Sequence, residues 1–226
     1  MSKKIFQECI PPILWRMGKK FKSKWHEVFG KHEDSRYGDE KQAAFYDAHF
    51  LQNSNQRVSY IFSLYYPVWT VIVDRICRAK IASVLEIGCG SGQLATFLRD
   101  SGLTRYRGID FSSARIAWAR NICPEFEFFE NDVFQDMSLE SYDYECVLIT
   151  EFLEHIENDI AVLERIRKKT IVFATIPNFQ NRSHVRYFRS RDEVMSRYAP
   201  YFTELTIDAL RAVDEEKVFY LLQGIR

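Results

Sequence analysis

The stretch Val84-Leu85-Glu86-Ile87-Gly88-Cys89-Gly90-Ser91-Gly92-Gln93-Leu94 constrains this chain more than any other. Val84, Leu85 and Ile87 form a short apolar run with β-branched members, as a strand buried on both faces requires. Gly88, Gly90 and Gly92 then remove Cβ atoms where the backbone turns and a ligand comes close. A helix begins near Gly92 or Gln93, so its free N–H groups face the same loop. Strand, glycine loop and helix in that order predict a nucleotide-like ligand at the edge of a parallel sheet.

The chain around this stretch alternates in the same way. Strands are predicted at 83–87, 106–110, 126–130, 144–149 and 170–175. Helices are predicted at 92–101, from a Ser112 or Ser113 cap to Asn121, at 157–167 and at 191–198. Gly102 reads as a helix stop, and Ile176-Pro177-Asn178 as the end of the fifth strand. Residues 201–208 and 217–222 read as a closing edge hairpin with an acidic turn. Alternating β and α with unbroken apolar strands predicts a doubly wound parallel sheet with helices on both faces. Upstream, residues 43–66 are aromatic-rich and helical in pattern, and Pro67 opens an apolar-periodic helix over 68–79. The expected organisation is a basic extension and linker over 1–42, a helical lid over 43–80 and a core over 81–226.

Composition narrows the partners. The 226 residues carry a formal net charge of zero, which gives no global case for nucleic acid or membrane. Residues 1–31 nevertheless hold eight Lys and Arg against Glu8 and Glu27, mixed with Phe6, Leu14, Trp15, Phe21 and Trp25. One reading is a basic arm that touches a membrane surface or an anionic partner. The other is a solvated extension that packs a few aromatics on the domain. The five cysteines contain no C-x-x-C pair, which argues against a zinc site or a disulfide framework and fits a reducing compartment. No apolar run approaches the ~18–20 residues that span a bilayer. The N-terminus lacks a signal peptide's apolar region, so a cytoplasmic location is expected.

The ligand can be read further from the strand ends. Glu86 stands two residues before the first glycine. A carboxylate there repels a phosphate and welcomes an ammonium, directly or through water. Asp110 ends the second strand, where a carboxylate accepts ribose hydroxyls. Asn131 and Asp132 end the third, where they can accept from an adenine amino group. The set describes a nucleoside joined to a cationic amino acid rather than to a diphosphate.

Glu86-Ile87-Gly88-Cys89-Gly90-Ser91-Gly92 resembles motif I of the class I S-adenosylmethionine-dependent methyltransferases. Gly108-Ile109-Asp110-Phe111-Ser112 resembles their second motif, and Asn131-Asp132-Val133 their adenine segment. Ile149-Thr150-Glu151-Phe152-Leu153-Glu154-His155-Ile156 is similar to the motif after strand four. The resemblance covers about residues 60–226. It implies an α/β, Rossmann-like, seven-stranded sheet, mostly parallel with an antiparallel last strand. It also implies S-adenosyl-L-methionine held by Glu86, Gly88, Cys89, Gly90, Gly92, Gln93, Asp110, Phe111, Asn131, Asp132, Val133 and Thr150. Cys89 reads as a small buried filler, not a nucleophile.

Methyl transfer from a sulfonium needs in-line alignment and a nucleophilic acceptor. Glu151, Glu154 and His155, at i, i+3 and i+4, would share one helix face. Two carboxylates and an imidazole suit Mg²⁺, Mn²⁺, Fe²⁺ or Zn²⁺. This E-x-x-E-H resembles the metal motif of small-RNA 3′-terminal 2′-O-methyltransferases and ubiquinone-pathway O-methyltransferases. Alternatively His155 is a general base, or only orders the loop. After strand five, His184 is a further catalytic or metal-binding candidate, and Arg182 or Arg186 a contact for an anionic group. Tyr46, Tyr60, Tyr65 and Tyr66 are expected in the lid. The leading expectation is O-methylation of a small molecule or glycan. RNA 2′-O-methylation is the alternative; the neutral charge and the absence of the small-RNA enzymes' longer His-rich segment count against it. No N/D-P-P-Y/F motif follows strand four, which disfavours N-methylation. A third reading is a non-catalytic scaffold that binds the cofactor.

Overall fold

The computed structural model describes residues 38–211 and 217–226. The basic arm over 1–31 and the acidic turn of the closing hairpin lie outside these residues. The described chain runs α1 (Ala43–Gln52), α2 (Tyr66–Arg78), β1 (Ser83–Ile87), α3 (Gln93–Asp100), β2 (Arg105–Asp110), α4 (Ser113–Ile122) and β3 (Glu127–Glu130). It continues through α5 (Ser138–Ser141), β4 (Cys146–Ile149), α6 (Asp159–Arg165), β5 (Ile171–Pro177), α7 (Arg191–Tyr198), β6 (Glu204–Arg211) and β7 (Val218–Ile225).

The seven strands order as β3-β2-β1-β4-β5-β7-β6. β1 pairs in parallel with β2 on one side and β4 on the other. β2 pairs in parallel with β3, and β4 with β5. β7 runs antiparallel to both β5 and β6. The strand order reverses at β1, so the loops after β1 and β4 diverge and open a crevice at the carboxyl edge.

The apolar runs of the central strands follow from burial on both faces. Val84, Cys146 and Leu148 join one core with Ile72 and Ile76 of α2, Leu94 and Leu98 of α3 and Ile116 of α4. Leu85, Ile87, Val147 and Ile149 join the other with Leu139 of α5, Leu163 of α6 and Val194 of α7. Residues alternate along each strand, so both parities must be apolar. Pro67 near the α2 start supplies a helical φ and gives up an N–H that has no partner there.

Several boundaries differ from expectation. β5 continues through Pro177, which pairs with Phe219. A proline needs no N–H at a strand's last rung. β7 runs eight residues, longer than the sequence pattern suggests, and β6 keeps the expected eight but starts three residues later; each supports the other's ladder. The aromatic stretch 43–66 holds only one α-helix; residues 54–57 and 60–62 are single 3₁₀ turns. No described helix is long and apolar enough to cross a membrane.

Ile72 is fully buried in the first core. Ile72→Ala should lower stability by about 3 kcal/mol through lost transfer energy and a residual cavity. Urea denaturation checks this; a loss under about 1 kcal/mol would show that the α2 seam repacks freely.

Candidate active site

The glycine loop is fastened to β2. Gly88 N–H and Cys89 N–H both donate to the Ile109 carbonyl, at 2.8 and 3.0 Å. Gly90 N–H donates to Asp110 Oδ2 at 2.9 Å, and Ser112 N–H to Asp110 Oδ1 at 2.8 Å. One carboxylate thus holds the loops after β1 and β2 together. Burial pushes the Asp110 carboxyl up, against the Arg115 charge and these two amides. A Cβ on Gly90 would meet nothing within 4 Å, and its φ is +55°. That position is the open cradle of the loop. Gly88 is closed instead, since a Cβ there would strike the Phe152 ring at 2.4 Å.

Glu86 lies on the face of β1 that also carries Val84, only 1 % exposed. Tyr106 O–H donates to its Oε2 at 2.5 Å, and Thr150 O–H to its Oε1 at 3.4 Å. Burial pushes the Glu86 carboxyl up to about 8, opposed by these two hydroxyls. Tyr106 escaped the sequence reading. Strand parity could have found it, since Glu86 pairs with Gly108 and Tyr106 lies two residues before it on β2. Cys89 is buried beside Gly108, and burial raises its thiol well above the usual range, so it is no nucleophile.

Further residues expected at the cofactor are bonded to neighbouring parts of the chain. Gln93 Nε2 donates to the Val58 carbonyl at 2.8 Å, and Ser91 Oγ to the Gln56 carbonyl at 2.7 Å. Both hold the segment before α2 across the loop. Asn131 donates from Nδ2 to Asp136 and accepts Asp132 N–H at Oδ1, at 3.1 and 3.0 Å. Asp132 Oδ1 accepts Phe134 N–H at 2.9 Å. Val133 is buried, and its carbonyl accepts from Arg165.

The α1 helix roofs the crevice. Asp47, which carried no signal in the sequence, accepts from Ser112 Oγ at 2.6 Å and Ala114 N at 3.1 Å. It thereby latches α1 onto the start of α4, and these bonds outweigh desolvation to lower its pKa. The Tyr46 ring stands 5.3 Å from Phe111 and 5.9 Å from His155. It bridges the loops after β2 and β4. Tyr60 and Tyr66 do not belong to this roof. They pack on Phe97 of α3, at 4.6 and 5.4 Å between ring centroids. Tyr65 packs on Trp69 and Phe219.

The loop after β4 departs from the sequence expectation. Glu151, Glu154 and His155 do not share a helix face. Glu151 sits in a bend with φ +51°, and only Leu153–His155 form a 3₁₀ turn. Glu151 N–H donates to Thr175 Oγ1 at 2.9 Å, and Thr175 O–H donates back to Glu151 Oε1 at 3.0 Å. Burial pushes the Glu151 carboxyl up to about 8, against the Thr175 bond.

The ligand-like cluster is Glu154, His155 and His184, with one N or O atom from each within 4.8 Å of the others. His155 Nδ1 lies 2.8 Å from the Ser183 carbonyl, and His184 Nδ1 lies 3.2 Å from the Phe179 carbonyl. A carbonyl only accepts, so each Nδ1 carries the proton and each Nε2 presents a lone pair. His155 Nε2 is 3.8 Å from Glu154 Oε1. Burial lowers His155 to about 3 and His184 to about 4, so both rings are neutral near pH 7 and no ion pair forms with Glu154. Glu154 is 0 % exposed, and neither carboxylate oxygen has a hydrogen-bond partner among the described residues. Arg186 is turned inward, because its terminal nitrogens donate to backbone carbonyls and face the buried Asp159 carboxylate.

The profile of a family described as a methyltransferase domain matches residues 29–210. The chain belongs to this family. It is an S-adenosylmethionine-dependent methyltransferase of class I. Among solved structures, the methyltransferase domain of the bacterial CtHen1-C aligns with TM-score 0.58 at 17% identity, over 72% of this chain and 98% of that one. The cyclase SpnF aligns with TM-score 0.65 at 13% identity, over 84% and 97%. The N-methyltransferase NodS from Bradyrhizobium japonicum aligns with TM-score 0.55 at 13% identity, over 72% and 96%. Such identities show a common fold. No curated protein matches the chain.

Two outcomes follow. Asp110→Ala should weaken S-adenosylmethionine binding about tenfold or more in titration calorimetry, since it frees the glycine loop; undiminished affinity would remove Asp110 from the site. For Glu86, the folded carboxyl holds its proton to about 8, while the unfolded one releases it near 4.5. The folded state binds the extra proton in that window, so stability falls as pH rises through it. Glu86→Gln should remove this part of the slope in urea denaturation at low and slightly alkaline pH.

Proposed function

We propose that this methyltransferase acts on a hydroxyl oxygen of a small molecule or glycan, with a divalent metal held by Glu154, His155 and His184. The observation that carries the reading is the buried Glu154 carboxylate without a hydrogen-bond partner beside two imidazole Nε2 atoms. An unpaired buried carboxylate is costly unless something positive meets it. Two neutral imidazoles cannot supply that charge, and without a cation burial and the neighbouring Glu151 push the Glu154 carboxyl up toward its protonated form. Two nitrogens and an oxygen suit Mn²⁺, Fe²⁺ or Zn²⁺ better than Mg²⁺. The backbone carbonyls of Ser183 and Phe179 orient the two rings as outer partners of metal-binding histidines do. His184 therefore takes the place that the sequence pattern gave to Glu151.

In the reaction, the acceptor oxygen forms a bond to the methyl carbon as the carbon–sulfur bond breaks. The bonding pair stays on sulfur and gives S-adenosylhomocysteine, and the hydroxyl proton is lost. A metal held by Glu154, His155 and His184 would lower the pKa of the acceptor hydroxyl. The glycine loop and the Asp110 bridge hold the donor, and the α1 roof with Tyr46 excludes water over both reactants. Glu151 receives the acceptor proton in this reading. His155 is a poor general base, because an efficient one has a pKa near the working pH.

The test measures S-adenosylhomocysteine formation with panels of phenols, sugars, amines and short RNAs. The reading expects turnover with a hydroxylated small molecule or glycan. It also expects loss on chelation, recovery with Mn²⁺ or Zn²⁺, and a fall on the order of a hundredfold in Glu154→Gln. Turnover with RNA alone would establish the alternative, RNA 2′-O-methylation. Turnover confined to amines, or activity indifferent to chelator and to Glu154→Gln, overturns it. Cofactor binding without turnover on any acceptor favours the scaffold.

A further inference from the structure

Glu154 and His155 come from the loop after β4, and His184 from the loop after β5. A site made from two loops needs something that fixes one against the other. The backbone supplies part of this. Val185 N–H and Arg186 N–H both donate to the Glu154 carbonyl, at 2.8 and 3.4 Å. The Arg186 side chain supplies the rest. Its Nη1 donates to the carbonyls of Leu153 and Ile156, and its Nη2 to the Glu157 carbonyl at 2.9 Å. These carbonyls surround the one-turn helix that bears Glu154 and His155, which is too short to satisfy them itself.

The guanidinium is itself held from behind. Arg186 Nη1 lies 3.4 Å from Asp159 Oδ2, and Asp159 is 1 % exposed. Asp159 also accepts from Arg197 Nε and Nη2, at 2.9 and 2.7 Å, and from Tyr198 O–H at 2.7 Å. A buried carboxylate facing two guanidinium groups and a phenol is fully compensated, and so can serve as a fixed anchor. Rigid α7 thus connects through Asp159 and Arg186 to the turn that bears Glu154 and His155. A planar fork can reach several carbonyls at set angles, whereas a lysine ammonium is a single point charge.

We propose that Arg186 is the positioning residue that holds the Glu154–His155 turn against His184, with Asp159 as its anchor. The inference deepens the metal reading above and rests on it for its purpose, but the arrangement itself can be tested without metal. In metal-free protein, long-range ¹H–¹⁵N spectra should show His155 and His184 each as the Nδ1–H tautomer. Arg186→Gln and Arg186→Lys should both leave His155 exchanging between tautomers. Titration with Co²⁺ alone should then show affinity lower by about tenfold or more than in the wild type, while S-adenosylmethionine affinity is kept. Wild-type tautomers and wild-type Co²⁺ affinity in both variants overturn the proposal. So does a parallel loss of S-adenosylmethionine affinity, which would make Arg186 a general support of the fold. If the wild type binds no Co²⁺ yet its tautomers are as stated and respond to Arg186→Gln, the metal reading falls and the positioning role stands.

Discussion

Two backbone amides, those of Gly90 and Ser112, converge on the carboxylate of Asp110, and the joining of the loops after β1 and β2, the proposed cofactor half of the site, depends on them. The strand order reverses at β1, which by itself only leaves a gap at the carboxyl edge. Asp110 turns the gap into a shaped cradle by tying the loop after β1 to the loop after β2. Hydrogen bonds to a charged acceptor contribute about 1.5–3 kcal/mol each, enough to offset much of the cost of burying the carboxylate. The loop's shape is then set by covalent and backbone geometry, and a ligand that replaces water there meets groups already in place.

The cluster after β4 and β5, the proposed acceptor half, is built on the opposite principle. Its groups are side chains on irregular backbone, and their arrangement is costly. Glu151 takes a left-handed φ without being glycine. Glu154 is buried without a partner, and two imidazoles are held neutral beside it. Strain and unsatisfied polarity of this kind persist only where the surroundings over-determine them, and they gather at functional sites. Thr175 from β5 and Arg186 from the following loop supply that determination.

The same contrast explains what the sequence reveals. The cofactor half is written in residue types whose physical meaning is local: glycines where a Cβ would intrude, apolar strands of both parities, a carboxylate at a strand end. Reading them in order predicts the doubly wound sheet and the place of Asp110. The acceptor half depends on contacts between residues distant in the chain, and spacing misleads there. The i, i+3, i+4 pattern at Glu151, Glu154 and His155 promises a helix face, yet the Thr175 hydroxyl draws Glu151 off and leaves a single turn. His184 enters because the loop after β5 folds back under Glu154, which no local period encodes. Gln93 and Arg186 look like ligand contacts by position, and each donates to backbone carbonyls that only the folded chain brings near.

The fold is shared with a cyclase and with an N-methyltransferase, so it does not choose the acceptor. What can choose it is the nucleophile's own chemistry. A neutral amine already carries the lone pair that displaces the sulfonium. A hydroxyl does not become comparably nucleophilic until its proton is drawn away, and it needs help to lose it near neutral pH. A buried carboxylate with two oriented, unprotonated imidazole nitrogens is superfluous for the first task and apt for the second. That asymmetry is what supports the proposed oxygen acceptor over nitrogen.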